Sequence, residues 1–213
     1  MEDDFTRIVV AVCIFIGLIV LFVWMSSRAK RRVVKAVVQA QETLKLTPFV
    51  GTHPQLDTVW YAVRGQVSGL TIKIFGGRSR RGRNAGVMEG KGVGAFAMSP
   101  SYAMIIVTLP TIIPFRINLQ RRLALSTPRF GTSYEEFDKI VEVTTENEKK
   151  ALTLLNNEQL RTAIISFIKL TSNAFITSSE VMIKVSSDKH VLPAAREAVK
   201  LATFLGNQVA GML

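Results

Sequence analysis

The stretch LFVWMSSRAKRRVVK, residues 21–35, joins the most apolar part of the chain to one of its most basic parts. The apolar run begins at Ile8 and ends at Met25, and its 18 residues include neither a charge nor a proline. At a rise of about 1.5 Å per residue, a helix of this length nearly matches the roughly 30 Å hydrocarbon core of a bilayer. The run therefore predicts a transmembrane helix over residues 8–25.

The charges on the two sides of this run predict its orientation. Residues 1–7 contain three acidic residues and one cation, Arg7, whereas a cluster of cations follows the run, and such clusters stay on the cytoplasmic side. We therefore expect residues 1–7 outside and the C-terminal domain in the cytoplasm. One alternative is a buried helix of a soluble protein. The other is a cleaved signal peptide, which would have a basic start and a shorter apolar run. The predicted membrane-interface residues are Trp24, Arg28, Lys30, Arg31, Arg32 and Lys35.

Residues 26–46 continue the helical pattern as a basic juxtamembrane stalk. Five apolar residues at helical spacing are predicted to share one face: Val33, Val34, Val37, Val38 and Leu44. This stripe could dock on the chain's own domain, self-associate or contact a helix of another protein. Docking on its own domain is the simplest of the three.

Residues 47–213 predict one α+β domain. β-Branched and aromatic residues predict strands over residues 58–67, 70–75, 92–99, 102–110, 112–119 and 138–143, with Ser68 and Gly69 forming a turn. The spacers between these segments are too short for crossover helices, so the sheet should be mostly antiparallel, with five to seven strands.

Helices are predicted in the C-terminal part of this domain. Thr145 with Glu148, and Asn156 with Gln159, have the spacing of capping boxes and predict two helices. Residues 174–185 predict a hairpin, and residues 193–213 an amphipathic helix whose apolar face includes Ala198, Leu201, Ala202, Leu205, Val209 and Met212. We expect these helices to pack on one face of the sheet.

Parts of this domain resemble a loose group of uncharacterised bacterial proteins. The similarity covers roughly residues 60–210 and includes VRGQVSGLTIKIF and FGTSYEEFDKIVEV. Members of that group often have an N-terminal membrane helix and a G-D-x-x-F-D-x-x-F-like segment. Gly131, Phe137 and Asp138 match that segment, whereas Thr132 replaces its first aspartate. The resemblance supports the predicted fold with its N-terminal membrane helix, and it implies no activity. We expect the protein in the inner (cytoplasmic) membrane of a bacterial cell, as a single-pass protein.

A loop rich in glycine and arginine, residues 76–94, is the most basic part of the domain. Its cations are candidate contacts for an anionic partner, either lipid headgroups or an acidic protein: Arg78, Arg80, Arg81, Arg83 and Lys91. A solvated hairpin extension is the alternative. Nucleic acid is not an expected partner, because no aromatic residues alternate with the arginines.

The residue types for metal or catalytic chemistry are sparse. Cys13 is the single cysteine and lies in the apolar run, and the two histidines, His53 and His190, are far apart. We therefore expect no metal site, no cofactor and no catalytic residues. The acidic cluster SYEEFD, residues 133–138, would support an enzyme only if it shared a cleft with a cation such as Arg116.

These patterns together predict a non-enzymatic, membrane-anchored accessory or scaffold subunit of a membrane protein complex. Its partners would contact the transmembrane helix, the stalk and the basic loop. The alternative is a membrane-tethered sensor or a domain that binds lipid or a small ligand. Such a domain would need a cavity between strand residues 102–109 and the last helix.

Overall fold

The structure is a computed structural model, and it describes residues 2–79, 101–122, 131–171 and 173–210. The chain begins with one long helix, α1 (Glu2–Leu44), which continues from the apolar run through the basic stretch. The sequence favours this continuity, because residues 8–44 contain no proline and one glycine, Gly17. The helix ends before Lys45, whose φ of 54° lies in the left-handed region.

A single antiparallel sheet follows α1. Its strands are β1 (Thr47–Pro48), β2 (Leu56–Val67), β3 (Leu70–Ser79), β4 (Ser101–Thr108), β5 (Ile117–Arg121), β6 (Val141–Thr145), β7 (Asn173–Ile176) and β8 (Glu180–Val185). The strand order is β1-β2-β3-β4-β8-β7-β5-β6, and every neighbouring pair is antiparallel. The predicted α+β class and antiparallel sheet are confirmed, with eight described strands instead of five to seven.

The turn predicted between β2 and β3 is confirmed. Ser68 and Gly69 have φ values of 52° and 80°, and the flanking Val67 and Leu70 pair with each other. Positive φ at both central residues gives a two-residue hairpin the twist that antiparallel strands need. The hairpin predicted over residues 174–185 is also present, as β7 and β8.

Four further α-helices and a short 3-10 helix (Asp188–His190) complete the described fold. The α-helices are α2 (Glu135–Ile140), α3 (Glu148–Leu155), α4 (Glu158–Leu170) and α5 (Val191–Ala210). The predicted capping residues were wrong by one or two positions. The side chain of Asn147 accepts from Lys150 N at the start of α3, and that of Asn157 accepts from Leu160 N at the start of α4.

Thr145 belongs instead to β6, where its hydroxyl donates to the Arg116 carbonyl at 2.9 Å. The prediction of a strand over residues 138–143 was also partly wrong, because the first three of these residues are the last three of α2. Phe137 of α2 is buried, and Glu135 and Lys139 form an ion pair across one helical turn. The strand predicted over residues 92–99 lies outside the described residues.

Helices cover one face of the sheet, as predicted. The inward residues of α5 and of the second half of α1 join the strands in the main core, and the predicted apolar residues of α5 from Ala198 to Val209 are buried there. Met212 lies outside the described residues. On the other face, residues 49–56 fold back over Phe75, Tyr102 and Met104 and form a smaller core.

Candidate membrane-facing surface

The first half of α1 has the properties of a membrane span. From Val9 to Met25 its side chains are exposed, and no other element packs against them. Exposing this much apolar surface to water costs about 25 cal/mol per Å². Within the described ranges, α1 is the one helix long and apolar enough to cross a membrane. These features fit membrane anchoring through one N-terminal helix.

The predicted interface residues lie at the end of this apolar half. Trp24 is exposed, and the guanidinium carbon of Arg28 lies 5.0 Å from the centroid of its indole ring. Four more cations follow on α1, all exposed: Lys30, Arg31, Arg32 and Lys35. In the part of the chain that the structure describes, none of these five cations forms an ion pair. Their charges are therefore available to an anionic surface or partner.

Arg78 connects the sheet to α1 just beyond the apolar half. Its Nη2 donates to the hydroxyl of Ser26 at 2.8 Å, and Ser26 directly follows Met25. Arg78 pairs with Ser101 of β4 in the sheet. The end of the sheet that contains Arg78 and Ser101 is therefore the one nearest the apolar half of α1, and we call it the proximal end. Sequence reasoning missed Ser26, because no local pattern links it to a residue so distant in the chain.

Of the loop cations predicted to contact an anionic partner, Arg78 is the one within the described residues. Arg80, Arg81, Arg83 and Lys91 lie outside them. The residues that flank this segment, Ser79 and Ser101, both belong to the proximal end, since β3 and β4 are antiparallel neighbours. The last described residue of β3 and the first of β4 therefore both lie on the side of the apolar helix.

The basic half of α1 has two apolar stripes, whereas the sequence predicted one. Val33 and Val37 are buried against the sheet, and Val34 and Val38 are half-buried on a different side of the helix. The valines separate because neighbouring residues differ by about 100° around a helix axis. α1 thus docks on the chain's own domain, which was the simplest of the three predicted options, but it uses only part of the predicted stripe.

The docked side of α1 packs directly on strand backbone. A Cβ added at Gly76 of β3 would lie 3.0 Å from Val33 Cγ1 and 3.2 Å from Val37 Cγ2. Ala36 and Ala40 are buried on the same side of the helix, where small side chains permit this close approach. The second half of α1 is consequently part of the domain core.

The opposite side of this half is open. Its residues line one shallow groove on the helix surface: Ser27, Lys30, Arg31, Val34, Lys35 and Val38. We call this surface the outward face of α1. It combines two half-buried valines with three exposed cations, and all the residues that line the groove belong to α1.

The acidic cluster of residues 133–138 does not form a cleft with Arg116. Glu135 is fully exposed, and the hydrogen bond from Lys139 lowers the pKa of its carboxyl group. Asp138 accepts hydrogen bonds from Thr132 N at 2.9 Å and from Thr132 Oγ1 at 2.6 Å, which fixes the turn before α2. Arg116 lies at the end of β6 that is far from α2.

Among the described residues, no three His, Cys, Asp or Glu side chains cluster as metal ligands.

The interface between β4 and α5 is closely packed. Ile105 and Val107 of β4 and Leu201 and Ala202 of α5 are fully buried in one cluster. A Cβ added at Gly206 would lie 2.1 Å from Pro110 Cγ, so α5 also touches the segment after β4. This packing gives the ligand-cavity alternative no support.

His53 lies in the smaller core, on the face away from the helices. Its ring centroid is 5.5 Å from that of Phe75, and its Nδ1 accepts from Gln55 N at 3.2 Å. Burial lowers the pKa of the His53 imidazole; Glu180 opposes this effect, and Lys184 adds to it. Folding therefore favours the neutral form of the imidazole, which packs against Phe75.

Comparisons with known proteins give one similar structure. No family model and no curated protein sequence matches the chain. The fold is similar to the crystal structure of the mycobacterial trehalose monomycolate transport factor A, TtfA, with a TM-score of 0.51. The two chains are 11% identical, and the match covers 85% of this chain and 94% of the other. At this level of identity, the similarity concerns the fold.

Proposed function

We propose that the protein is a non-enzymatic accessory or scaffold subunit of a membrane protein complex. Its α+β domain would lie in the cytoplasm, held at the inner membrane by the first half of α1. The observation that carries this proposal is the continuity of α1 from the exposed apolar half to the docked half. Because no flexible linker separates the apolar half from the docked half, the domain would keep one position relative to the span. A subunit that aligns its partners needs such a fixed position.

Charge supports the proposed orientation. The cations that follow Met25 are exposed, and Arg78 brings a further cation to the proximal end of the sheet. Near an anionic cytoplasmic leaflet, each such cation contributes about 1 kcal/mol of attraction within a Debye length. Anionic headgroups would thus contact the proximal end, while nucleic acid is not a proposed partner.

Two further observations support an accessory role over catalysis. Arg116 and the acidic cluster, which an enzyme would need to bring together, lie at different ends of β6. The protein with the similar fold is a transport factor, which favours a place beside membrane transport machinery for this chain as well. The proposed partners are therefore integral membrane proteins.

Purification in mild detergent from cells with native expression tests this function. We expect at least one other membrane protein to co-purify in constant ratio with the full chain. A matched chain that begins at residue 26 lacks the apolar half of α1 and should lose partners bound through the span. Recovery of the full chain alone would refute the accessory role.

A further inference from the structure

The outward face of α1 continues a line of side chains that begins in the membrane span. Ile16, Val20 and Val23 precede Ser27, Val34 and Val38 at intervals of three, four or seven residues. Such spacing keeps side chains on one side of a helix that packs against a second helix. The span residues of this line are exposed, as is the whole apolar half.

Lipid does not explain the apolar part of the outward face. Val34 is nine residues beyond Met25 and Val38 is thirteen, which places them about 13 and 20 Å past the apolar run along the helix. The headgroup layer on one side of a bilayer is only about 5–8 Å thick. An average helix tilt of about 20° shortens these distances by less than a tenth. Val38 therefore lies outside the lipid.

A second copy of the chain does not fit this face either. In a symmetric pair of parallel helices, each residue of a shared face lies opposite its own equivalent. Each of the three cations on this face, Lys30, Arg31 and Lys35, would then lie opposite the same cation of the second copy. Like charges on adjacent helices repel each other. The chain's own domain already occupies the other side of the helix, at Val37.

We propose that the outward face of α1 binds a helix of a different membrane protein. This helix would leave the membrane beside α1, with Asp or Glu opposite Lys30, Arg31 and Lys35 and with small or apolar residues opposite Val34 and Val38. The hydroxymethyl group of Ser27 is small enough for close approach where the two helices leave the bilayer. This inference rests on the proposed function and specifies where the partner binds and what charge it carries.

Site-specific photo-crosslinking in intact cells tests the site. A photoreactive amino acid replaces Val34 or Val38, and the matched control carries it at Gln39, which is exposed and about 100° around the helix from Val38. We expect one adduct common to Val34 and Val38, at least several-fold weaker at Gln39. Mass spectrometry should map it to an acidic helical segment next to a transmembrane span.

Adducts with lipid, with a second copy, or of equal yield at Gln39 would overturn the inference. If membrane proteins co-purify with the chain but no adduct forms at Val34 or Val38, the inference fails and the accessory function stands. If nothing co-purifies, the accessory function itself fails.

Charge reversal tests the proposed acidic character of the partner. Lys35→Glu should lower the Val34 adduct yield several-fold, whereas the control Arg32→Glu, an exposed cation away from the outward face, should leave it nearly unchanged. An Asp→Lys or Glu→Lys change at the mapped position of the partner should restore the yield with Lys35→Glu. Equal losses from both reversals, as general membrane electrostatics would give, would contradict the inference.

Discussion

Arg78 on β3 and Ser26 on α1 are joined by a hydrogen bond of 2.8 Å, although they are 52 positions apart in the sequence. Ser26 directly follows the apolar half of α1, and Arg78 is the first cation of the basic loop. The contact therefore identifies the proximal end of the sheet as the end nearest the apolar half of α1, and it links the domain to that half.

Loss of this contact should loosen the proximal end without unfolding the domain. We expect Arg78→Ala to lower the free energy of unfolding by about 1 kcal/mol, since the bond is partly buried. Denaturant unfolding in detergent micelles measures the effect, and a double-mutant cycle with Ser26→Ala isolates the pair. Strictly additive effects of the two substitutions would show that the pair contributes nothing.

The two valine stripes of α1 should respond differently to truncation. Val37→Ala removes buried core contacts and should cost about 2 kcal/mol of unfolding free energy. Val38→Ala, the neighbouring half-buried position, should cost less than about 0.5 kcal/mol. The same unfolding assay compares them. Equal losses would mean that both valines are packed in the domain, which would contradict an open outward face.

The turn before α2 should depend on the Thr132 hydroxyl, which donates to the carboxyl group of Asp138 at 2.6 Å. Thr132 is buried, so Thr132→Val should lower the unfolding free energy by about 2 kcal/mol, the range for hydrogen bonds to charged groups. Thr144→Val, at an exposed strand position, is the control and should change stability by less than about 0.5 kcal/mol. A neutral effect at Thr132 would remove the structural role assigned to Asp138.

His53 should make stability depend on pH. Burial lowers the pKa of its imidazole in the folded state below the usual value of 6.5, so the unfolded chain binds the proton more tightly. Its contribution is therefore complete above pH 6.5 and declines as the pH falls toward the folded pKa. The unfolding free energy of His53→Gln should therefore fall less between pH 7 and 5 than that of the unsubstituted protein. Identical pH profiles of the two proteins would contradict this assignment.

Local sequence patterns predicted the elements better than their pairing. The uninterrupted apolar run predicted the first half of α1, and Ser68 with Gly69 marked the β2–β3 turn because a Ser-Gly pair between two strand-like segments is a common turn signal. Local patterns could not predict the order of the strands, because strands far apart in the sequence pair with each other. Ala103 of β4, for example, pairs with Val185 of β8. The start of β6 was predicted too early because the i,i+4 pair and buried Phe137 of α2 outweigh a local β preference.

The candidate surface was predictable only in part. Composition identified the cations after Met25, but the split of the valines depends on where the sheet lies against α1. Glycine at position 76 permits this docking, and that role becomes clear only once Val33 and Val37 are seen against it. The contact of Arg78 with Ser26 likewise depends on the folded arrangement.

The location of the C-terminus tests the central claim, that α1 spans the membrane and leaves the domain in the cytoplasm. A dual reporter fused after Leu213 combines a fluorescent protein, which folds in the cytoplasm, with alkaline phosphatase, which is active only outside it. We predict fluorescence in the membrane fraction and no phosphatase activity. Phosphatase activity, or fluorescence in the soluble fraction without detergent, would contradict the account.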